Sequence, residues 1–416
     1  MAPNLWHLSV FRETVVRGSV TAAAAGLGLT QPAASQALKS LANFYGAPLI
    51  DRRNDRASAT EEGEILLARA ELALGLLGEG LREATGPKAN AAQMLRAMSA
   101  RRLETLVGIV RHGGFANAAR AGGYAAPTIH RAAKDLERAL GVRLFETTSY
   151  GVRPTKRADA LAMKASLAFA ELRQAQAEIA GRLGREAGRT VIGAMPLARA
   201  HLVPAAVSVF CGSHPEHRIS IVEGSYEDLL IGLRRGEVDL LVGALRNNPA
   251  VKDVSEEPLF EDPLSVVMRT QHPLARAEKL SGPMLAGFPW IAARPSSPLR
   301  GHFEDLFRGL QTPPPTDVVE CNSLGASRVL VMNSDRLMLL SDAQIRYEKA
   351  NGMLVSRPHP IGPVARIIGL TMRRNWRPTA AQAALAMQIR AEAKEISGLK
   401  PTQGASQMFQ PVCRDS

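Results

Sequence analysis

A chain that repeats itself must build copies of one unit before it builds anything else, so an internal repeat is settled first. Sliding the 416-residue sequence by 95 residues lays Gly18 on Gly113, Ala23 and Ala24 on Ala118 and Ala119, and Pro32 on Pro127. The same offset lays Lys39 on Lys134, Leu41 on Leu136, Gly46 on Gly141, Leu49 on Leu144 and Thr60 on Thr155, with no gap. Beyond it, Leu66, Ala70, Ala73 and Leu77 fall on Leu161, Ala165, Ala168 and Leu172, a series that continues through Ala175 and Ile179 to Leu183. The repeated unit therefore carries a compact head and a following helix with a heptad-like stripe of small and apolar residues, suited to close helix pairing.

Within the first copy, Leu8, Phe11 and Val15 recur at helical spacing. Ser19 is placed to cap a short alanine-rich helix ending near residues 26–28, and Thr30 to cap a third, with Pro32 in its first turn. Two helices joined by a short glycine-containing turn make a helix-turn-helix, whose second helix fits a major groove. Thr30 and Pro32 open that helix, and Gln31, Ser35, Gln36 and Lys39 share one of its faces. Amides, a hydroxyl and an ammonium are the groups that read base edges and hold phosphates. Ala34, Ala37, Leu38 and Leu41 face inward, and Arg52, Arg53 and Arg56 suit a wing lying along the nucleic-acid backbone.

The string Phe11, Gly18, Ser19, Ala23, Ala24, Leu27, Thr30, Gln31, Pro32, Ala33, Ser35, Leu38, Leu41, Gly46, Leu49, Arg52, Thr60 and Gly63 resembles the winged helix-turn-helix of LysR-type transcriptional regulators. Ala42 departs from that pattern, which usually has Glu there, and Ile50 from its usual Phe. The second copy resembles the family best after its recognition helix begins, at Leu136, Glu137, Leu140, Gly141, Leu144, Phe145 and residues 151–155. The start of that helix fits poorly: Ala125 cannot cap as Thr30 does, and Ala126 lacks the amide of Gln31. Thr128, His130, Arg131, Lys134 and Arg153 are its candidate DNA contacts, Arg being the commonest reader of guanine; the alternative is a structural second copy. The resemblance implies a dimerisation role for the helix after each head. The two stripes pair either within one chain, as an internal pseudo-dimer, or between chains.

Residues 184–188 read as a hinge, beyond which the chain changes character. β-branched runs at 189–195, 218–224 and 238–244 alternate with helical stretches at 196–210 and 226–235, which argues for a parallel α/β sheet. Residues 264–269 start a crossover, and the pattern resumes at 289–293, 299–309, 317–320, 323–332, 336–340 and 367–373. This half resembles the same family's effector-binding domain, two-lobed like periplasmic solute-binding proteins. The resemblance rests on Ile192–Gly193, on Leu202, Val203 and Pro204, on His214–Pro215, on residues 233–243, and on His272, Pro273 and Leu274. It implies an effector between the lobes, at strand ends and helix N-termini. Met195, Pro196, Leu197 and Ala198, expected to open a helix whose amides receive an anion, are candidates with Arg199, Ser225, Ser296, Ser297, Asn322 and Ser323. A carboxylate or sugar acid would suit such amide-lined positions.

The expected fold class is thus α and α/β multidomain, with two tandem winged units and their linker helices ahead of a two-lobed α/β domain. The expected boundaries are a first head at 1–63, linker helix at 64–84, connector at 85–102, second head at 103–157, linker helix at 158–187, effector domain at 188–396 and a disordered tail at 397–416.

A net charge of +12, most of it before residue 188, and a pI near 10.0 favour an acidic partner. Operator DNA fits better than a membrane, because no basic amphipathic helix is followed by an anchor and no apolar run is long enough to span a bilayer. With no signal peptide seen, the expected location is the cytoplasm. Partners are then double-stranded DNA, a small-molecule effector and further copies of the chain, associating through linker helices and effector domains. Cys211, Cys321 and Cys413 are few and widely spaced, and the nine histidines do not cluster, so neither metal nor cofactor is expected. There is no Gly-rich phosphate loop, no HExxH and no G-x-S-x-G elbow, so no catalytic residue is assigned. The leading reading is a bacterial, effector-responsive transcription regulator; the alternative is a ligand-binding or enzymatic two-lobed protein whose helical half serves only for assembly.

Overall fold

The computed structural model describes residues 2–53, 56–87, 90–149, 151–185, 188–246, 251–295 and 297–398. The first head runs α1 (Leu5–Arg17), α2 (Val20–Leu27), α3 (Gln31–Tyr45), β1 (Ile50–Arg53) and β2 (Arg56–Ala59), and continues into the long helix α4 (Glu61–Thr85). A short helix α5 (Ala91–Ala97) follows. The second head then repeats the order: α6 (Ala100–His112), α7 (Phe115–Gly122), α8 (Ala126–Leu140), β3 (Phe145–Thr148), β4 (Gly151–Pro154) and the long helix α9 (Lys156–Arg182). The connector expected at 85–102 is therefore partly helical, and its last residues already belong to α6.

The repeat is legible in backbone angles. The three helices of the first head stop at Gly18, Gly28 and Gly46 with φ of 65°, 68° and 68°; those of the second stop at Gly113, Gly123 and Gly141 with φ of 71°, 68° and 66°. A residue with a Cβ is strained in this left-handed region, so glycine recurs wherever the turn recurs. Thr60 and Thr155 each accept a bond from the third amide of the following helix, Gly63 N at 2.9 Å and Ala158 N at 3.2 Å.

α4 and α9 pack antiparallel within the one chain. Glu61 and Glu62 at the start of α4 meet Arg182 at the end of α9, while Glu79 near the end of α4 bonds Lys164 near the start of α9 at 2.7 Å. Leu66, Ala70, Ala73 and Leu77 are fully buried, as are Leu161, Ala165, Ala168, Ala175 and Ile179. At Gly80 the helices approach so closely that a Cβ would stand 2.9 Å from the Lys164 Cβ. One hydrophobic core runs through both heads and both linker helices. Of the two pairings left open by the sequence, the stripes take the one within a single chain; only Leu183, at the end of the second stripe, is exposed.

Arg69 sits in this interface, 4% exposed. Its Nη1 donates to Glu171 Oε2 at 2.6 Å and Gln174 Oε1 at 2.8 Å, and its Nη2 to Glu178 and, at 2.8 Å, to the carbonyl of Arg377 in the following domain.

That domain comprises β5 (Arg189–Ala194), α10 (Leu202–Ser213), β6 (Arg218–Val222), α11 (Tyr226–Arg234), β7 (Leu240–Ala244), β8 (Val254–Arg269), α12 (Gly282–Ala286), β9 (Trp290–Ala292), α13 (Pro298–Gly309), β10 (Val318–Glu320), α14 (Leu324–Met332), β11 (Leu337–Ser341), a 3-10 turn, α15 (Arg346–Ala350), β12 (Leu354–Pro358), β13 (Ala365–Arg373) and α16 (Ala380–Gly398). The strand order is β10-β9-β11-β8-β13-β7-β5-β6, with β12 also on β8. The sheet is mixed, not parallel: β5, β6 and β7 run parallel, but β13 lies antiparallel to β7 and β8, and β11 and β12 antiparallel to β8. β8 joins the lobes, pairing with β13 up to Pro263 and with β11 and β12 from Leu264. What reads as a crossover at 264–269 is the second half of this one 16-residue strand. Residues 397–398 close α16, and the tail from 399 lies outside the described residues, as does Cys413.

The first lobe rests on the linker pair. A Cβ at Gly236 would lie 2.6 Å from that of Ala170 in α9, and Glu237 takes Arg111 of the second head at 2.5 Å. Between lobe and linkers lies a crevice of about 1410 Å³ lined by Arg69, Arg111, Arg173, Arg182 and Asp239 among others.

Replacing Arg69 by Ala strands the carboxylate of Glu171, itself 4% exposed, without its cation. Breaking such a buried pair costs about 3–5 kcal/mol. The unfolding midpoint of the helical half in urea, followed by far-ultraviolet circular dichroism, falls accordingly; an unchanged midpoint would remove Arg69 as a structural node.

Candidate nucleic-acid interface and interlobe cleft

Each recognition helix presents its residues by the same local logic. Ala34, Ala37 and Leu41 are buried on α3, which turns Gln31, Pro32, Gln36 and Lys39 to solvent. The Gln31 Nε2 donates to the Ser35 hydroxyl at 3.2 Å, so the two polar groups are held together on the outer face. Thr30 caps the helix, its hydroxyl accepting from Ala33 N at 3.4 Å. On α8, Ile129, Ala133, Leu136 and Leu140 are buried and Thr128, His130, Arg131 and Lys134 lie on the outer face. Ala125 supplies no side-chain cap, as its chemistry requires. The His130 ring stands edge-on to Phe115 at 5.4 Å, and Lys134 pairs with Glu137 at 3.0 Å. Glu137 also accepts from Leu144 N and Phe145 N at 2.8 and 3.1 Å, tying α8 to its wing; Ala42 stands at this position in the first head.

In the wings, Arg56 is exposed on β2 and Arg153 on β4. Arg52 and Arg53 stand on β1, and their side chains lie outside the described residues. The heads meet where Ala2 N donates to Glu104 Oε1 at 3.1 Å, and the connecting helix α5 lays the Arg96 guanidinium 5.3 Å from the Trp6 ring of the first head.

The described residues of the expected effector set lie in turns between strands and helices of the two lobes, several with local work of their own. Residues 196–201 are not helical: they form a run of turns between β5 and α10, whose first residue is Leu202. The helix expected at Pro196 thus begins six residues later, and its N-terminus is not where Met195 to Ala198 lie. The side chains of Met195, Leu197 and Ala198 are buried in the first lobe's cores, leaving Pro196 exposed. Arg199 pairs with Glu223, which draws this turn toward Ser225. Ser225 caps α11 through Asp228 N at 3.1 Å, and Ser323 caps α14 through Ala326 N at 3.3 Å. Asn322 Oδ1 accepts from Arg294 N at 2.9 Å, pinning the end of β9 to the end of β10. Ser297 precedes α13 without a side-chain cap bond, and Ser296 lies outside the described residues. Across the junction, Ala200 packs against the second-lobe cluster that includes Leu324, Ile345 and Leu354.

Other junction residues carry no signal in sequence. His201 spans the lobes, its Nδ1 3.3 Å from the Tyr347 hydroxyl and its Nε2 accepting from Arg346 Nη1 at 3.0 Å. At the strand crossing, Arg366 donates to Asp262 at 2.5 Å and to Gln344 at 3.1 Å. Burial pushes the Asp262 carboxyl up, against the pull of Arg366. These partners lie more than a hundred residues apart, except Gln344, and no local pattern announces them.

Among the described residues no group of His, Cys, Asp and Glu can hold a metal, and no helix is long and apolar enough to cross a membrane. Cys211 and Cys321 are free thiols.

Burial, and then the Arg346 charge, hold His201 below its ordinary pKa of 6.5, with Glu392 and Glu395 pulling the other way. Neutral His201 accepts the Arg346 bond; the protonated ring cannot. The bridge is therefore fully present above about pH 6.5 and is lost as pH falls through the lower folded value. Thermal unfolding of the two-lobed half should lose stability on acidification in the wild type and lose less in His201→Phe; parallel curves would show that the bridge does not matter.

Comparison with known proteins places these features. Residues 5–64 and 100–159 each match the bacterial regulatory helix-turn-helix proteins of the lysR family, and residues 183–394 match the LysR substrate binding domain. The chain is 32% identical over 389 residues to the HTH-type transcriptional regulator GalR of Pseudomonas putida, covering 93% of this chain and 97% of that protein. It is 26% identical over 296 residues to the HTH-type transcriptional regulator PcaQ of Agrobacterium fabrum, covering 71% and 95%. A solved structure of a full-length OxyR variant from Pseudomonas aeruginosa is similar with a TM-score of 0.53 and 25% identity, over 70% of this chain and 95% of that one.

Proposed function

Because the chain belongs to the LysR family of DNA-binding transcription regulators, we propose that it works as a self-paired member. Its two heads arose by duplication, and its two linker helices do within one chain what the family does between two. The observation that carries this is the antiparallel packing of α4 on α9, with both stripes buried against each other. The 95-residue register of the turns and caps supports the duplication, as does the 389-residue match to GalR, too long for one head and one effector domain. The match to PcaQ, at 296 residues, has the length of the single-headed arrangement.

In this reading Thr30, Gln31, Pro32, Ser35, Gln36, Lys39, Arg52 and Arg53 of the first head, and Thr128, His130, Arg131, Lys134 and Arg153 of the second, contact an operator. The lysines and wing arginines hold phosphates, and the amides, hydroxyl, imidazole and α8 arginine face base edges. The effector is a small anion such as a carboxylate or sugar acid, held between the lobes near Pro196, Arg199, Ser225, Ser297, Asn322 and Ser323. Further self-association uses effector-domain surfaces, since the linker stripes are occupied. The protein operates in the cytoplasm, with the DNA.

Regulation needs two arrangements that the effector binds unequally. The first lobe is mechanically coupled to the heads through Arg69, which bonds α9 and the Arg377 carbonyl at once, and through the Arg111–Glu237 pair. The crevice above the linker pair leaves room for that lobe to shift.

The test is retention of genomic fragments by the purified chain at physiological salt. Specific fragments should bind at least about a thousandfold tighter than random duplex, with affinity falling steeply as salt rises. Ser35→Ala/Gln36→Ala should lose that preference while keeping the salt-sensitive background. A chain that retains no preferred fragment, with or without candidate small acids, is not a sequence reader.

A further inference from the structure

The two heads share one backbone but present different chemistry at equivalent places. At the 95-residue offset, Gln31 corresponds to Ala126, Ser35 to His130 and Gln36 to Arg131, whereas Pro32 meets Pro127 and Lys39 meets Lys134. On the recognition helix the first-turn proline and the lysine are thus kept, whereas the capping threonine and the base-facing residues are not. α3 and α8 are both 15 residues long and end in the same left-handed glycine, so equivalent residues stand at equivalent heights along their helices. Gln36 and Arg131 both lie on the outer faces of their helices, away from the buried residues. A glutamine amide fits the N6 and N7 edge of adenine, whereas an arginine fork fits O6 and N7 of guanine.

The placement of the heads adds a second constraint. α4 and α9 each continue directly from a wing, and they run antiparallel with the start of one at the end of the other. A helix of 25 residues is about 38 Å long. The two head-to-linker junctions therefore lie at opposite ends of a bar whose length is close to one turn of B-form DNA, about 34–36 Å, the spacing between half-sites read by paired helix-turn-helix units. In a homodimer two equal heads at this spacing require a symmetric site. Here the heads are unequal and no symmetry operation exchanges them.

We propose that one chain reads a non-palindromic site of two unlike half-sites about one helical turn apart. The α3 half-site is read through Gln31, Ser35 and Gln36 and carries an adenine at its centre; the α8 half-site is read through His130 and Arg131 and carries a guanine. The site has a direction, so a bound chain points its effector domain one way along the duplex. This rests on the DNA-reading function proposed above, and goes beyond it in assigning half-site asymmetry and the residues that create it.

The experiment is selection from a randomised duplex library with the full-length chain, followed by affinity measurement on the selected site and on two rearranged versions. In one, the α8 half-site is replaced by an inverted copy of the α3 half-site; in the other, the replacement is the reverse. The expected result is an asymmetric selected site, and a loss of about a hundredfold or more for both symmetric versions, since several base pairs are mismatched in each and their costs add. Arg131→Ala should relax discrimination roughly tenfold or more at a guanine in one half-site only, and Gln36→Ala at a base in the other only. A palindromic selected site, or a symmetric version bound as tightly as the selected one, overturns the inference while leaving a DNA reader. A site in which Arg131→Ala changes nothing overturns it too, because α8 then reads no base. If selection enriches no sequence at all, the proposed function has failed, and this inference with it.

Discussion

The antiparallel contact between α4 and α9 is the constraint from which the rest of the molecule takes its arrangement. Its seam is made of leucines alternating with alanines, and Gly80 lets the helices approach to a distance no larger residue would allow. Such a seam is stable through packing alone, yet it contains a guanidinium. Arg69 is tolerated there because its terminal nitrogens find Glu171, Gln174, Glu178 and the Arg377 carbonyl. The same residue fixes the register of the two helices and the seat of the first lobe. A purely apolar contact would permit sliding; a charged group with partners on α9 and on the following domain does not.

From that contact the two heads inherit their positions and the effector domain its footing. The heads are near-copies in backbone because their turns demand glycine at the same three places, and their long helices start from a capping threonine in both. They differ most on the outer faces of their recognition helices. The outer face of α8 exchanges Gln, Ser and Gln for Ala, His and Arg at exposed positions, and the missing cap at Ala125 costs one local bond. Glu137 holds the second wing through two amides, in a position the first head leaves to alanine.

Much of this was legible from the sequence, and what was not has a physical reason. The repeat, the helix ends and the outward residues of α3 follow from local chemistry: caps, positive-φ glycines and a period near four. The strand–helix alternation foretold a parallel α/β sheet and the family resemblance its two lobes, but neither foretold the antiparallel β8 and β13, because strand direction depends on pairing partners far away in the chain. The turn at 196–201 looked helical because its residues are largely apolar, whereas burial in a lobe core rather than helical periodicity is what they satisfy. Arg69 lies beside the recognised stripe, yet its partners come from 102 to 308 residues away. His201 and Tyr347 are equally remote, and a histidine at a helix start announces nothing.

The joining of both heads by residues 61–99 of one polypeptide bears on how such a protein behaves when it is scarce. Paired heads that belong to separate chains come apart on dilution, so their occupancy of a site falls with more than the first power of protein abundance. Heads that share a backbone present each other at a local concentration set by geometry and not by expression. A cell holding only a few copies would still hold that many fully assembled pairs of heads, and halving the supply would halve them, no more.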